Sequence, residues 1–294
     1  MVIEVKGLYK RLGDKEVLKN IDLTVEPGHI FGLVGENGVG KTTLIKCLTG
    51  VYRPDGGAAL IKGQPVYDNP AVKESIGYIA DQNQYFPSYR ITELLSFYSR
   101  AYPKFSRERF RELNQTFALP EKSRVKELSK GMQMRLTLML SLSIFPQVLI
   151  LDEPTSGLDP IAKRSVTNLL LEEVESRGVA ILISSHHLGD LERICDTIGI
   201  MAQGEIISSH SLEEMKANMR KLQVVFSHGA PTDLTAWPEV LSVEAVGRIH
   251  YIVTKNYGDG LMAKLGQLQP LLIEEMPLAL EDMFIYAAGE GYQS

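Results

Sequence analysis

The sequence predicts an α/β fold: a mainly parallel sheet with helices on both faces, followed by a smaller α+β appendage. Three observations predict it. The short apolar run Ile30 to Val34 meets a glycine-rich turn and then a helical pattern. From Val148 onward, buried-type strands alternate with helices. Three separate polar groups, around Lys41, around Asp152 and at His186, fall at the carboxyl ends of such strands, where open α/β sheets bind their ligands.

Taken in order, residues 1–34 read as strands. "VIEVKGL" alternates, and "IDLTVEPGHIFGLVG" is two runs joined by a Pro27–Gly28 turn. A helix follows in "TTLIKCLTG", with Leu44, Ile45 and Leu48 at helical spacing. "YRPDGGAALIKGQPV" holds turn chemistry and a hairpin-like pair, and "ESIGYIADQ" is another buried strand leading to a polar loop. From about 85 to 145 the pattern turns helical. "ITELLSFYSRAYP" has Thr92 as its cap candidate, "SRERFRELNQTFAL" starts at Ser106, and the long apolar helix starts at Ser129. The charges Arg107, Glu108, Arg109 and Arg111 read as a solvated helix face. Then come the strand "VLILDEP", a helix closed by Gly178, the strand "VAILISSH", a helix in "LGDLERIC" and a hairpin in "TIGIMAQGEII". Near Arg220 the texture changes to short strands and two helices, so the expected boundaries are 1–219 and 220–294.

The totals exclude several classes. A chain of 294 residues suits one large α/β domain plus a small one. A net charge of -5 leaves no global basic footprint, so no nucleic-acid partner is expected. Cys47 and Cys195 lie far apart without a C-x-x-C pair, which argues against a disulfide framework or a zinc site. The first ten residues lack a basic region followed by an apolar one, so no signal peptide is expected. The apolar stretch Leu136 to Leu151 is too short to span a bilayer and is interrupted by Pro146 and Gln147.

The turn after Val34 carries the first chemistry. Gly35, Glu36, Asn37, Gly38, Val39, Gly40, Lys41, Thr42 and Thr43 fit G-x-x-x-x-G-K-[ST], the phosphate-binding loop. The glycines let successive N–H groups point inward as an anion site, and the following helix aims its positive end at the phosphates. Lys41 reaches the β- and γ-phosphates, and the Thr42 hydroxyl can hold Mg²⁺. This identifies a nucleotide site but not a reaction, because kinases, GTPases, helicases and transport ATPases share the loop. The second group narrows it. Asp152 can hold Mg²⁺, and Glu153 can polarise an attacking water as general base. Strand alternation sends two adjacent carboxylates to opposite faces unless the strand end bends.

With both motifs in place, the chain resembles the ATP-binding subunit of an ABC transporter over residues 1 to about 215. "GENGVGKT" is the phosphate loop, "LSKGM" (Leu128 to Met132) matches the signature written LSGGQ, "LILDEP" holds Asp152 and Glu153, "SGLD" ends in Asp159, and "SSH" ends in His186. The resemblance implies a P-loop NTPase ABC cassette with a RecA-like core, an antiparallel β subdomain, a helical subdomain over about 85–145 and a C-terminal α+β accessory domain. It implies ATP and Mg²⁺ as cofactors, catalytic roles for Glu153, His186 and Lys41, and a signature, Ser129 and Gly131, that binds the γ-phosphate held by a second cassette. Asp159 lies in the loop that crosses the dimer. Two cassettes then close over two ATP molecules, more readily as a homodimer than a heterodimer, on the cytoplasmic face of the membrane against a separate permease. "LSKGM" and the C-terminal "LALEDMF" resemble ATPases of ABC-2-type bacterial exporters.

The chain also departs from the family pattern. Lys130 replaces a Gly and Met132 a Gln of the signature. Leu12 stands where an aromatic residue stacks on adenine, with Tyr9 a nearby substitute. In the loop that normally carries a Gln, gapless spacing places Asp81 at that position and Gln82 one later, and either side chain could reach Mg²⁺. His29, His210, His228 and His250 have no metal spacing and read as structural, as does Glu281–Asp282 as a solvated helix turn. Two other readings stand beside the exporter: a soluble ABC-type ATPase on ribosomes or DNA, and a degenerate cassette in a heterodimeric transporter.

Overall fold

The computed structural model of the protein describes residues 1–81, 87–227, 231 and 233–289. It divides into two compact units, Met1–Ile206 and the chain from Ile207 onward.

In the first unit, β1 (Ile3–Leu12) and β2 (Lys15–Val25) form an antiparallel pair, and β3 (Ile30–Val34) feeds α1 (Lys41–Leu48). β4 (Gly56–Ile61), β5 (Gln64–Pro65), the short α2 (Pro70–Lys73) and β6 (Ile76–Ile79) follow. β2, β1, β4 and β5 make a four-stranded antiparallel sheet in that order. The helical stretch holds α3 (Ile91–Ala101), α4 (Arg107–Phe117) and α5 (Lys130–Leu142). Beyond it lie β7 (Val148–Asp152), α6 (Pro160–Arg177), β8 (Ala180–Ser185), α7 (Leu188–Leu191), β9 (Thr197–Ala202) and the start of β10 (Glu205–Ser211), which runs on past the division. The six-stranded sheet runs β10-β9-β3-β8-β7-β6. Within it β3 pairs in parallel with β8 and β9, and β7 with β6 and β8. Every residue of β7 and β8 is buried, as a parallel sheet covered on both faces requires. Leu44, Ile45, Cys47 and Leu48 of α1 share one core with Phe31, Leu33, Val148 and Ile150, which locks the helix that follows the phosphate loop onto the central strands.

Three local readings are corrected. Thr92 is not a cap. α3 begins two residues earlier than that cap would place it, and the amide of its N-cap residue Arg90 donates to the Glu93 carboxylate at 2.6 Å. The helix read in "LGDLERIC" ends after one α-helical turn. The Asp196 carboxylate accepts from the Ile30 amide at 2.8 Å, and the Asp196 amide donates to the Ile30 carbonyl at 2.9 Å, which draws the chain into β9 beside β3. Arg109 is not part of a solvated face. Its guanidinium donates to Glu173 at 2.5 Å, and Arg177 donates to the same fully buried carboxylate at 2.5 Å. A buried carboxylate needs such partners.

The second unit adds α8 (Leu212–Asn218), β11 (Arg220–Phe226), β12 (Val240–Val246), β13 (Ile249–Thr254), α9 (Asp259–Gln267), β14 (Pro270–Met276) and α10 (Leu280–Gly289). Its sheet is antiparallel, in the order β12-β13-β11-β14. Leu222, Val224 and Ile252 on the sheet share a core with Leu261 and Leu265 of α9. The structural division falls ahead of the 219/220 boundary read from sequence. The change of texture marks the first strand of this sheet, whereas α8 before it already lies in the second unit. Among the described residues, no helix is long and apolar enough to cross a membrane.

Candidate functional site

β3 delivers the phosphate loop from the middle of the parallel sheet. Gly40, the N-cap residue of α1, has φ 117°, a region that L side chains rarely adopt, and a Cβ there would stand 2.9 Å from both Leu18 and Met201. Gly35 is required for a different reason. It needs no unusual φ, but a Cβ there would come within 2.4 Å of the Met201 carbonyl. No side chain caps α1, so the amides of its first turn are open to an anion. Lys41 is only 6 % exposed and donates to the carbonyls of Gly35 at 2.6 Å and Glu36 at 3.1 Å, so its ammonium bridges the ends of the loop.

β7 delivers the carboxylates. Asp152 is 2 % exposed, and its Oδ1 accepts the Ser184 hydroxyl at 2.6 Å. Glu153 has φ 51°, so the backbone turns left-handed where the strand ends, and its amide donates to the Ser184 carbonyl at 3.2 Å. That bend breaks the strand alternation. The Glu153 Oε2 meets Nδ1 of His186 at 2.8 Å. Facing a carboxylate, Nδ1 carries the proton, so in the neutral ring Nε2 is left as an acceptor. The Glu153 Oε1 is buried, lies 3.7 Å from the Lys41 ammonium and has no hydrogen-bond partner among the described residues. A buried, orphaned carboxylate oxygen marks a place for a water or ligand donor. Burial first, and then the charge of Asp152, pushes the Tyr78 phenol up to about 12, so this neighbour stays neutral.

Lys41 and Glu153 meet in one cleft of about 190 Å³, lined also by Asn37, Thr42 and Asp81 beside the loop glycines Gly38 and Gly40, whereas Asp152 and His186 are not in its lining. The donor set fits a nucleotide triphosphate with a hard cation. It offers open amides and a buried ammonium for phosphate, and an exposed Thr42 hydroxyl and carboxylates for Mg²⁺. Asp81 is in the lining, whereas Gln82 lies outside the described residues.

The remaining sequence candidates are not in that lining. Ser129 caps α5, its hydroxyl accepting from the Met132 amide at 3.3 Å, and Gly131 faces Leu158. Asp159 caps α6, accepting from the amides of Ala162 at 2.9 Å and Ile161 at 3.0 Å. The Ala162 amide foremost holds its carboxyl below the usual range. Leu12 is 40 % exposed at the end of β1 and does not line the cleft, and the Tyr9 hydroxyl is held by Glu16 at 2.7 Å. The sequence reading missed Val17, which lines the cleft from β2. Only the long-range approach of β2 to Gly40 places it there, and no local pattern marks it.

Comparison with known proteins gives the same picture. A family model described as ABC transporter matches residues 18–156. The chain is 33 % identical to the ABC transporter ATP-binding protein YtrB of Bacillus subtilis (strain 168) over 288 residues, covering 98 % of both chains. It is 31 % identical to the Nod factor export ATP-binding protein I of Rhizobium sp. (strain N33), covering 98 % of this chain and 97 % of that one. Among solved structures, the ATP-binding subunit of an ABC transporter superposes with a TM-score of 0.68 at 28 % identity, covering 74 % of this chain and 92 % of that one.

Proposed function

This chain belongs to the ATP-binding proteins of ABC transporters, ATPases that drive transport, and from that premise we propose that it dimerises over two ATP molecules to power export through a separate membrane permease. The observation that carries the reading is the meeting of Lys41, Glu153 and His186 at the mouth of an uncapped α1. Glu153 is the general base. His186 holds it in place through Nδ1, and Lys41 neutralises phosphate charge. Thr42 and Asp152 would hold Mg²⁺, with Asp81 of the cleft lining reaching its water shell, and the bound ion would spread the charge of the phosphates. Ser129 and Gly131 serve the nucleotide of the second cassette, and Asp159 lies at the crossing between the two. The assembly sits peripherally on the cytoplasmic face of the membrane as a homodimer, and 220–294 acts as its accessory domain. Export is favoured by the likeness to the Nod factor export protein along almost the whole chain.

The test is Glu153→Gln. Hydrolysis should fall about 10²- to 10⁴-fold, while MgATP should drive the variant into dimers seen by light scattering. A variant that stays monomeric at saturating MgATP overturns the dimer. For the permease, the tagged protein is purified from detergent-solubilised native membranes. One co-purifying membrane protein and no second cassette is the expected outcome.

A further inference from the structure

Ser184 and Asp190 bracket His186 along the chain, and both are tied to the loop that carries Glu153. On one side, the Glu153 amide donates to the Ser184 carbonyl and to its hydroxyl oxygen, each at 3.2 Å. On the other, the Asp190 carboxylate in α7 accepts the Thr155 hydroxyl at 3.0 Å, two residues beyond Glu153. Asp190 has a second partner. The Lys163 ammonium donates to its two oxygens at 2.9 and 2.8 Å. Lys163 stands near the start of α6, and its amide donates to the carbonyl of the cap residue Asp159 at 2.9 Å. One carboxylate thus joins three segments: the loop after β7, the short helix that follows His186 and the start of α6. None of Thr155, Lys163 and Asp190 lines the cleft beside the phosphate loop.

Glu153 sits at φ 51°, a conformation that a residue with a side chain keeps only where its surroundings hold it there. Ser184 holds it from the strand side. On the exit side only Pro154 separates Glu153 from Thr155, and its ring fixes one of its two backbone torsions. An anchor at Thr155 is therefore passed to Glu153 with little slack. We propose that Asp190 is a positioning residue for ATP hydrolysis: by holding Thr155 and Lys163 it keeps the Glu153 carboxylate in line with His186. The inference rests on the reading of Glu153 as the general base. Loss of the anchor lets the loop shift, and a displacement of about 1 Å at a reacting group costs on the order of 10²-fold in rate. The phosphate contacts of α1 are untouched, so turnover falls while nucleotide affinity stays.

The test is steady-state and single-turnover hydrolysis of radiolabelled ATP by the purified full-length chain. Thr155→Val removes the hydroxyl and little else. It should lower kcat by about 10-fold or more and leave KM for ATP within about 2-fold. Thr155→Ser, which keeps the hydroxyl, should recover most of the lost rate. Asp190→Asn keeps the shape but sets an uncharged amide against Lys163, and its kcat should fall at least as far. The double variant should fall no further than the less active single one, because both break the same tie. On a Glu153→Gln background, Thr155→Val should cost nothing more, since the group it positions is gone. Unchanged MgATP binding and circular dichroism report the fold, and Asp190→Asn carries the same comparisons should Thr155→Val fail to fold. Undiminished kcat in both single variants overturns the proposal, as does an equal fold-loss on the Glu153→Gln background or a loss that Thr155→Ser does not recover. Hydrolysis by Glu153→Gln at the wild-type rate would instead overturn the base assignment, and the proposal with it.

Discussion

Two helices of the first unit begin at small residues and treat their first amides in opposite ways. α1 starts at Gly40 with no side-chain cap, so its free N–H groups face the cleft that holds Lys41, Thr42 and Glu153. α5 starts at Ser129, and that hydroxyl takes the Met132 amide. An N-cap contributes about 1 kcal/mol, so leaving α1 uncapped forgoes local stability. The loss is offset by packing, since Leu44, Ile45, Cys47 and Leu48 are all buried against the sheet. The difference separates two kinds of helix start. α1 is held by its far side so that its end stays open for phosphate. α5 is self-capped, but the Ser129 hydroxyl only accepts there and keeps its own O–H to donate to an anion.

The largest break in this comparison is Gly40→Ala. The side chain is strained at φ 117° and crowds Leu18 and Met201. Strain and crowding together cost a few kcal/mol, so ATP affinity should fall by about 100-fold in calorimetry while circular dichroism stays native. Ser129→Ala is the counterpart. It should lower stability by about 1 kcal/mol and the unfolding midpoint by about 2–4 °C. ATP affinity of the monomer should not change, because Ser129 is not in the cleft lining. The smallest effect sharpens the capping half of the comparison. The Asp159 carboxyl is held below its ordinary value of 3.8, chiefly by the Ala162 amide. Its depressed pKa makes the charged cap's stabilisation full above that value and lost as pH falls through the folded pKa. The stability advantage of wild type over Asp159→Asn in urea should thus be flat between pH 6 and 5 and shrink below about 4. A gap that widens on acidification would mean that the charge does not support the cap.

Much of the site was legible because its signals are local. The phosphate loop requires glycines at set spacing, and a buried strand ending in Asp152 and Glu153 reads directly from "VLILDEP". Cap residues such as Ser106 and Ser129 were legible too, since their hydroxyls bond amides three residues on. Thr92 misled because Thr is a common cap residue, whereas the helix starts two positions earlier, where the Glu93 carboxylate accepts from the Arg90 amide.

The sequence by itself determined the parallel α/β core, the order of its motifs and the candidates Lys41, Asp152, Glu153 and His186, because each rests on spacing within a few residues. Tertiary structure decided what depends on partners far along the chain. The left-handed turn at Glu153 brings its carboxylate to Lys41 and His186. Val17 enters the cleft from another sheet, Leu12 stays out of it, and Arg109 leaves solvent for a carboxylate 64 positions away. Hydrophobic periodicity records which face of an element is buried, not what it is buried against. Only packing supplies the second half.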